Sequence, residues 1–504
     1  MAEATTGATD TSLPAPEPTA PAGTEPPPPP TPPHVVMLAS PGAGHLIPLA
    51  QLARRLVAEH GFAVMVVTLA GLSDPATDAA VLSSLPASVA TAVLPAVALD
   101  DLPADIGFGS VMFELVRRSI PHLRALVAGS VVGSAAAIVC DFFGTPALAL
   151  AAELGVPGYV FLPTSISFIS TVRRVVELHD GAAPGEYHDL PDPLALPGCA
   201  PLRHGDIPDG FRDCADPVYA YVVEEGRRYG GADGFLVNSF QELEPDAAEA
   251  FKRDAQNGEF PPVYLVGPFV RPSSDKDADE SACMKWLDRQ PAGSVVYVSF
   301  GTGGALSVEQ MVELAAGLEM SGHSFLWVVR MPSTDGLPYS MGASHGNPMD
   351  FLPEGFLERT SDRGLAVASW APQVRVLAHP ATAAFVSHCG WNSSLESVSS
   401  GVPMVAWPLY AEQQMNAAIL TEVAGVAVRP AAAASGGGDG VVVPREEVAA
   451  AVKELMGGEK GGAVHRRARE LKEAVARAWS PDGASRRALE EVASKWRNTV
   501  HKQR

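Results

Sequence analysis

The chain has 504 residues, a formal net charge of −21 and 47% hydrophobic residues. That length carries two domains with separate cores, and the charge argues against nucleic acid and an anionic membrane surface as partners. The five cysteines, Cys140, Cys199, Cys214, Cys283 and Cys389, are scattered without a C-x-x-C pair, which points away from a zinc site or disulfide framework and toward a reducing, cytosolic setting.

Residues 1–33 hold 11 prolines and no Lys, Arg or aromatic residue. They lack the basic start and apolar stretch of a signal peptide, and read as a disordered tail with local polyproline II. Ordered structure is expected from His34. HVVMLA, FAVMVVTLA, AAAIVC, GYVFL, GFLVNSF and VYLVG are short, near-continuous apolar runs with helical patterns between several of them. That is the alternation of a parallel sheet covered on both faces. The acidic, aperiodic RPSSDKDADES interrupts it, and the alternation restarts with SVVYVSF, SFLWVVR, GLAVAS, AAFVSH and PMVAW. The expected organisation is a tail (1–33), a first α/β domain (34–270), a linker (271–283), a second α/β domain (284–480) and a C-terminal helix (481–504) packed back on the first domain. No transmembrane helix is expected: the most apolar stretch, residues 135–156, is broken by Asp141 and Pro146.

Three motifs look functional and are weak. Gly42-Ala43-Gly44 opens like a dinucleotide fingerprint, but its sixth position is Ile47. The nearest acid, Asp74, lies well beyond the roughly 20 residues at which such a site grips the ribose. An NAD-dependent oxidoreductase is therefore disfavoured. Gly342-Ala343-Ser344-His345-Gly346 has the hydrolase spacing without the flanking strand and helix. Asp275-Lys276-Asp277 lies in an acidic run and reads as solvated charge.

Residues 370–413 read WAPQVRVLAHPATAAFVSHCGWNSSLESVSSGVPMVAWPLYAEQ. AAFVSH is a buried strand, CGW a turn, and NSSLESVSS a helix start with Asn and Ser at the cap and Glu in the first turn. A strand delivering a helix N-terminus makes an anion site. Glu396 could accept two hydroxyls of a ribose diol, and Trp370 offers a stacking face. Each residue alone has a plain structural explanation; together, in one span, they point to a nucleotide.

That span, with GHLIPL near the start and VVYVSFGT at 295–302, resembles the plant family 1 UDP-glycosyltransferases from His34 to about Trp496. WPLYAEQQMNA and FLPEGFLERT resemble the subgroup that includes hydroquinone and chlorophenol glucosyltransferases. The resemblance implies a GT-B fold, two Rossmann-like domains facing across a cleft, with UDP-glucose in the C-terminal domain. It implies that Trp370 stacks on uracil, that the Ala371 backbone and Gln373 hold base and ribose, and that Glu396 takes the ribose diol. His388, Asn392, Ser393 and Thr302 would meet the diphosphate; the Trp391 backbone, Glu412 and Gln413 would meet the sugar. Gln413 favours glucose. Thr164 and Ala411 would border acceptor and sugar. His45 would be the general base and Asp141 its orienting partner, with His45 kept neutral by its place near a helix N-terminus. No metal or cofactor is implied, since residues 370–413 hold only Arg375 as a cation and no metal cluster. The implied enzyme is a cytoplasmic monomer that glucosylates phenols, and aryl amines are further acceptors. The alternative is an inert sugar-nucleotide binding protein, against which the intact His45 and Asp141 count.

Overall fold

A computed structural model describes residues 32–103, 105–130, 135–182, 191–271, 281–333, 337–339, 346–434 and 441–503, with Met1 and Gly7. Outside them lie nearly all of the proline-rich tail, most of the linker with Asp275-Lys276-Asp277, residues 342–345 of the serine motif, and the glycine run 435–440.

The apolar runs form two parallel sheets. The first holds β1 (His34–Leu38), β2 (Ala63–Leu69), β3 (Val89–Leu94), β4 (Ala135–Asp141), β5 (Gly158–Leu162), β6 (Gly234–Val237) and β7 (Val263–Leu265), in the order β3-β2-β1-β4-β5-β6-β7. The second holds β8 (Val295–Ser299), β9 (Ser324–Val329), β10 (Gly364–Ala368), β11 (Thr382–Ser387), β12 (Met404–Ala406) and β13 (Ala427–Val428), in the order β10-β9-β8-β11-β12-β13. Every strand pair is parallel. Helices on both faces bury the strands on both sides, which is why β4 and β8 are buried at every residue and read as apolar runs up to their last residues, Asp141 and Ser299. The architecture is α/β GT-B, two Rossmann-like domains.

In each sheet the strand order reverses once, between β1 and β4 and between β8 and β11. Loops leaving the carboxyl ends of such neighbours diverge and open a crevice. The chain at the carboxyl ends of these four strands carries His45, Asp141, Thr302 and His388.

The helix after β1, Ala43–His60, starts behind Gly42 at φ 109° and stops at Gly61. Gly61 takes the left-handed conformation (φ 68°) and bonds back to the Leu56 and Val57 carbonyls. The last helix, Ala484–Gln503, lies on the first sheet. Its Trp496 is fully buried, edge-on to Phe62 and Tyr159.

The domains are also joined directly. Arg429 Nη1 meets Asp206 Oδ1 at 2.6 Å with both side chains buried, and Arg429 also bonds Gln414. The Trp391 indole N–H donates to the Asn238 carbonyl at 2.7 Å. No helix among the described residues is long and apolar enough to cross a membrane.

Candidate active site between the two sheets

His45 stands in the first turn of its helix, a quarter exposed, with Nδ1 3.0 Å from Asp141 Oδ2. Asp141 ends β4 and is 1% exposed. Its oxygens are held by Ser40, just past β1: the Ser40 N–H donates to Oδ2 at 2.8 Å and Ser40 Oγ to Oδ1 at 2.6 Å. A carboxylate pinned this way, 3.0 Å from Nδ1, favours the tautomer protonated there and leaves Nε2 as the basic nitrogen. Burial pushes the imidazole down, but the Asp141 hydrogen bond and charge, with the charge of Glu412, outweigh it, and the net shift is upward from 6.5. This upward direction is opposite to the lowering expected from the helix N-terminus, and its cause is the adjacent carboxylate.

Phe143, two residues past Asp141, is partly exposed and sits with its ring 5.5 Å from the imidazole. Phe113 lies 4.7 Å from Phe143, and Phe142 bridges to Phe168 at 4.9 Å. This apolar wall flanks the base and suits a flat ring. Thr164, past β5, is buried with an Oγ1 that makes no hydrogen bond among the described residues.

Across the cleft, Trp370 follows β10 and is 63% exposed. Ser369 before it takes φ 65°, which turns the indole out of the sheet. Ala371 is buried. Gln373 Nε2 donates to Glu396 Oε2 at 2.7 Å and to Ser393 Oγ at 2.9 Å, while Tyr297 donates to its Oε1 at 3.3 Å. Gln373, Ser393 and Glu396 therefore already form one polar patch beside the exposed indole. Burial pushes the Glu396 carboxyl up, against the Gln373 bond and the Arg271 charge.

His388, past β11, is buried between two glycines. A side chain at Gly301 or Gly390 would stand 2.6 or 2.4 Å from Nε2. Burial first, and then the Arg330 charge, hold its imidazole at about 4. It is neutral near pH 7 and can offer one N–H to an oxyanion. Thr302 is exposed on the loop after β8.

The helix Trp391–Ser400 begins one residue earlier than expected, behind Gly390, and no side chain caps it. Asn392 and Ser393 lie inside its first turn, and Glu396 in the second. Capping is absent because the residue at the cap position, Gly390, has no side chain; the Asn392 NH2 instead donates to the Gly44 carbonyl at 3.0 Å. Trp391 is 2% exposed, its indole turned to the Asn238 carbonyl of the first domain. Past β12, Glu412 precedes the helix Gln413–Ala418; burial pushes its carboxyl up, against the charge of His45. Gln413 Oε1 accepts from the Leu409 and Tyr410 N–H groups, at 2.9 and 3.2 Å, which leaves its NH2 for a sugar hydroxyl.

Some features escaped the sequence. Ser40, Phe143 and Asn238 carry no motif, although Phe143 stands in D-F-F-G right behind Asp141. Arg330, directly after β9, adds a cation that the 370–413 span lacks; it makes no hydrogen bond or ion pair among the described residues. The non-glycine residues with positive φ among the described residues are Ser369, Cys389 and Ala411. They follow β10, β11 and β12 in turn, so backbone strain gathers at the cleft end of the second sheet, as at functional sites generally. Among the described residues no group of three or more His, Cys, Asp or Glu could hold a metal.

Residues 248–459 match the model of the family "UDP-glucoronosyl and UDP-glucosyl transferase". The chain is 44% identical to a hydroquinone glucosyltransferase of Rauvolfia serpentina, over 93% of this chain and 98% of that one. It is 46% identical to UDP-glycosyltransferase 72B1 of Arabidopsis thaliana, over 92% and 96%. Among solved structures, UGT2 of Phytolacca americana, complexed with UDP-2fluoro-glucose and pterostilbene, is 42% identical with a TM-score of 0.82, over 92% of this chain and 100% of that one. A UDP-glucosyltransferase from Polygonum tinctorium capable of glucosylating indoxyl, in complex with 3,4-dichloroaniline, is 41% identical with a TM-score of 0.84, over 92% and 99%. Two facing parallel sheets, a histidine–carboxylate pair on one and a nucleotide-shaped patch on the other, agree with these likenesses: the chain belongs to the plant family 1 UDP-glycosyltransferases, in their phenolic subgroup.

Proposed function

We propose that the protein transfers glucose from UDP-glucose to the hydroxyl of a small phenol, with inversion at the anomeric carbon and without a metal. Hydroquinone, monolignols and chlorophenols are the acceptor class. Aryl amines extend it, in line with the dichloroaniline bound by the Polygonum relative. The observation that carries the assignment is the His45–Asp141 pair at 3.0 Å, set between an aromatic wall and Glu412.

His45 Nε2 accepts the acceptor's O–H proton while that oxygen bonds the anomeric carbon. The bond from that carbon to the diphosphate oxygen breaks, and UDP leaves with the electron pair. Attack opposite the leaving group turns the α-linked donor into a β-glucoside. A phenol titrates near ~10 and histidine near ~6.5, so full prior deprotonation would be uphill by about 5 kcal/mol. Proton transfer concerted with attack avoids that state, and the upward shift of His45 narrows the gap.

For the donor, Trp370 stacks on uracil, the Ala371 backbone and Gln373 hold base and ribose, and Glu396 takes the ribose diol. His388, Ser393, Asn392, Thr302 and the free N–H groups of the helix Trp391–Ser400 serve the diphosphate. Glu412, Gln413 and the Trp391 backbone serve the glucose, with Ala411 and Thr164 at the border with the acceptor. We place the enzyme in the cytosol as a monomer; its cysteines are all free.

The test is purified protein with UDP-glucose and a panel of hydroquinone, coniferyl alcohol, chlorophenols and 3,4-dichloroaniline. Products are read by mass, the anomeric configuration by proton NMR, and the assay is repeated with chelator. A β-glucoside formed equally well with chelator supports the proposal. UDP binding without turnover on any acceptor would instead indicate an inert sugar-nucleotide binder.

A further inference from the structure

A proline inside a helix withdraws one donor, and the carbonyl four residues back loses its partner. Pro48 is the sixth residue of the helix Ala43–His60. The carbonyl it leaves open belongs to Gly44, the residue before His45. That carbonyl accepts from Asn392 Nδ2 at 3.0 Å, across 348 positions of sequence and from the opposite domain. A carbonyl only accepts, so the amide nitrogen must face it.

We propose that Asn392 is a positioning residue for His45, holding the Gly44–His45 peptide through the carbonyl that Pro48 leaves open. This presupposes the transferase activity proposed for the site. The Gly44 carbonyl carbon is bonded to the His45 nitrogen, so this hydrogen bond orients the peptide from which the imidazole hangs. No neighbour crowds this face of the peptide: a Cβ built at Gly44 would meet nothing within 4 Å. Asp141 fixes the other end of the residue, at Nδ1. His45 is thus registered from both domains at once. The next residue back, Trp391, anchors the same turn through its bond to the Asn238 carbonyl. The helix end that receives the donor is therefore tied to the acceptor domain at two points, one of them the peptide of the base.

Pro48→Ala restores an N–H and removes the ring that holds off the Gly44 carbonyl, so the carbonyl tilts back into the helix ladder and away from Asn392. Asn392→Ala removes the donor itself. With kcat, the KM for UDP-glucose, UDP affinity and Tm measured on the full chain, Pro48→Ala is expected to lower kcat about 3- to 10-fold, the worth of one hydrogen bond. Its KM for UDP-glucose stays within about twofold and its Tm does not fall. Asn392→Ala lowers kcat at least as much. The double variant is no slower than Asn392→Ala alone, because both changes act on one bond. A wild-type kcat in Pro48→Ala, or kcat losses that multiply in the double variant, overturns the proposal. A wild-type protein that releases no UDP from UDP-glucose with any acceptor overturns the transferase function itself, a result readily told apart from an active wild type with an indifferent Pro48→Ala.

Discussion

Replacing Asp141 by asparagine keeps the shape of the side chain and removes its charge. An amide oxygen in the place of Oδ2 still accepts from the Ser40 N–H and from His45 Nδ1, and Ser40 Oγ can rotate to accept from the new NH2. Alanine is the poorer test: it would strand the buried Ser40 N–H and hydroxyl and cost about 1–3 kcal/mol of stability. With Nδ1 and Oδ2 3.0 Å apart, the charge centres lie roughly 4 Å apart, and a full imidazolium–carboxylate attraction there is worth about 4 kcal/mol at an effective dielectric of ~20. With the proton between half and fully transferred in the transition state, about 2–4 kcal/mol is at stake. For a phenol of pKa ~10, kcat/KM should therefore fall about 30- to 1,000-fold. More acidic phenols need less help from the base and should lose less. The assay is UDP release over a series of substituted phenols, with log kcat/KM plotted against acceptor pKa for both proteins. Parallel lines, or a loss below about threefold for the least acidic phenol, would refute a charge-stabilising role for Asp141.

His45→Ala should abolish transfer while UDP affinity by calorimetry stays at the wild-type value, since the donor patch lies on the other domain; near-normal turnover would sink the base assignment. The pH dependence has a definite sign. His45 is shifted upward from 6.5, so kcat/KM should fall as pH drops through an apparent value above 6.5, and Asp141→Asn should move that limb to lower pH. A wild-type limb below 6.5 contradicts the pairing. By linkage, the stability from the His45–Asp141 contact is fully present below about 6.5 and lost as pH rises through the raised folded value; a Tm series of wild type and Asp141→Asn against pH reads it. Asp206→Ala leaves the buried Arg429 cation without its carboxylate; a loss of about 3–5 kcal/mol in denaturant unfolding is expected, and a change under about 1 kcal/mol would mean that water reaches the guanidinium.

Much of the fold was legible because parallel strands buried on both faces must be apolar throughout, as HVVML and VVYVS are. The donor patch was legible for a related reason. Trp370, Gln373, Ser393 and Glu396 come from the segments after β10 and β11, which are consecutive in the chain, so their contacts are encoded in a short span. The helix start was misjudged at Asn392 because a cap is read from residue type, whereas the backbone turns into the helix at Gly390, which has no side chain to signal it.

The sequence by itself determined the two alternating halves and the make-up of the 370–413 box, since these follow from local periodicity and from residue types at fixed spacing; it offered His45 and Asp141 as base and partner only through the family resemblance. Tertiary structure alone decided how they act. Strand order sets β1 beside β4, and that brings Asp141 and Ser40 to His45. Domain packing brings Asn392 to the carbonyl left open by Pro48. Burial beside Asp141 and Glu412 sets the direction of the His45 shift, and burial beside Arg330 holds His388 neutral. Each depends on distances of a few ångströms between groups far apart in the chain, and electrostatic and hydrogen-bond energies answer to those distances rather than to sequence spacing.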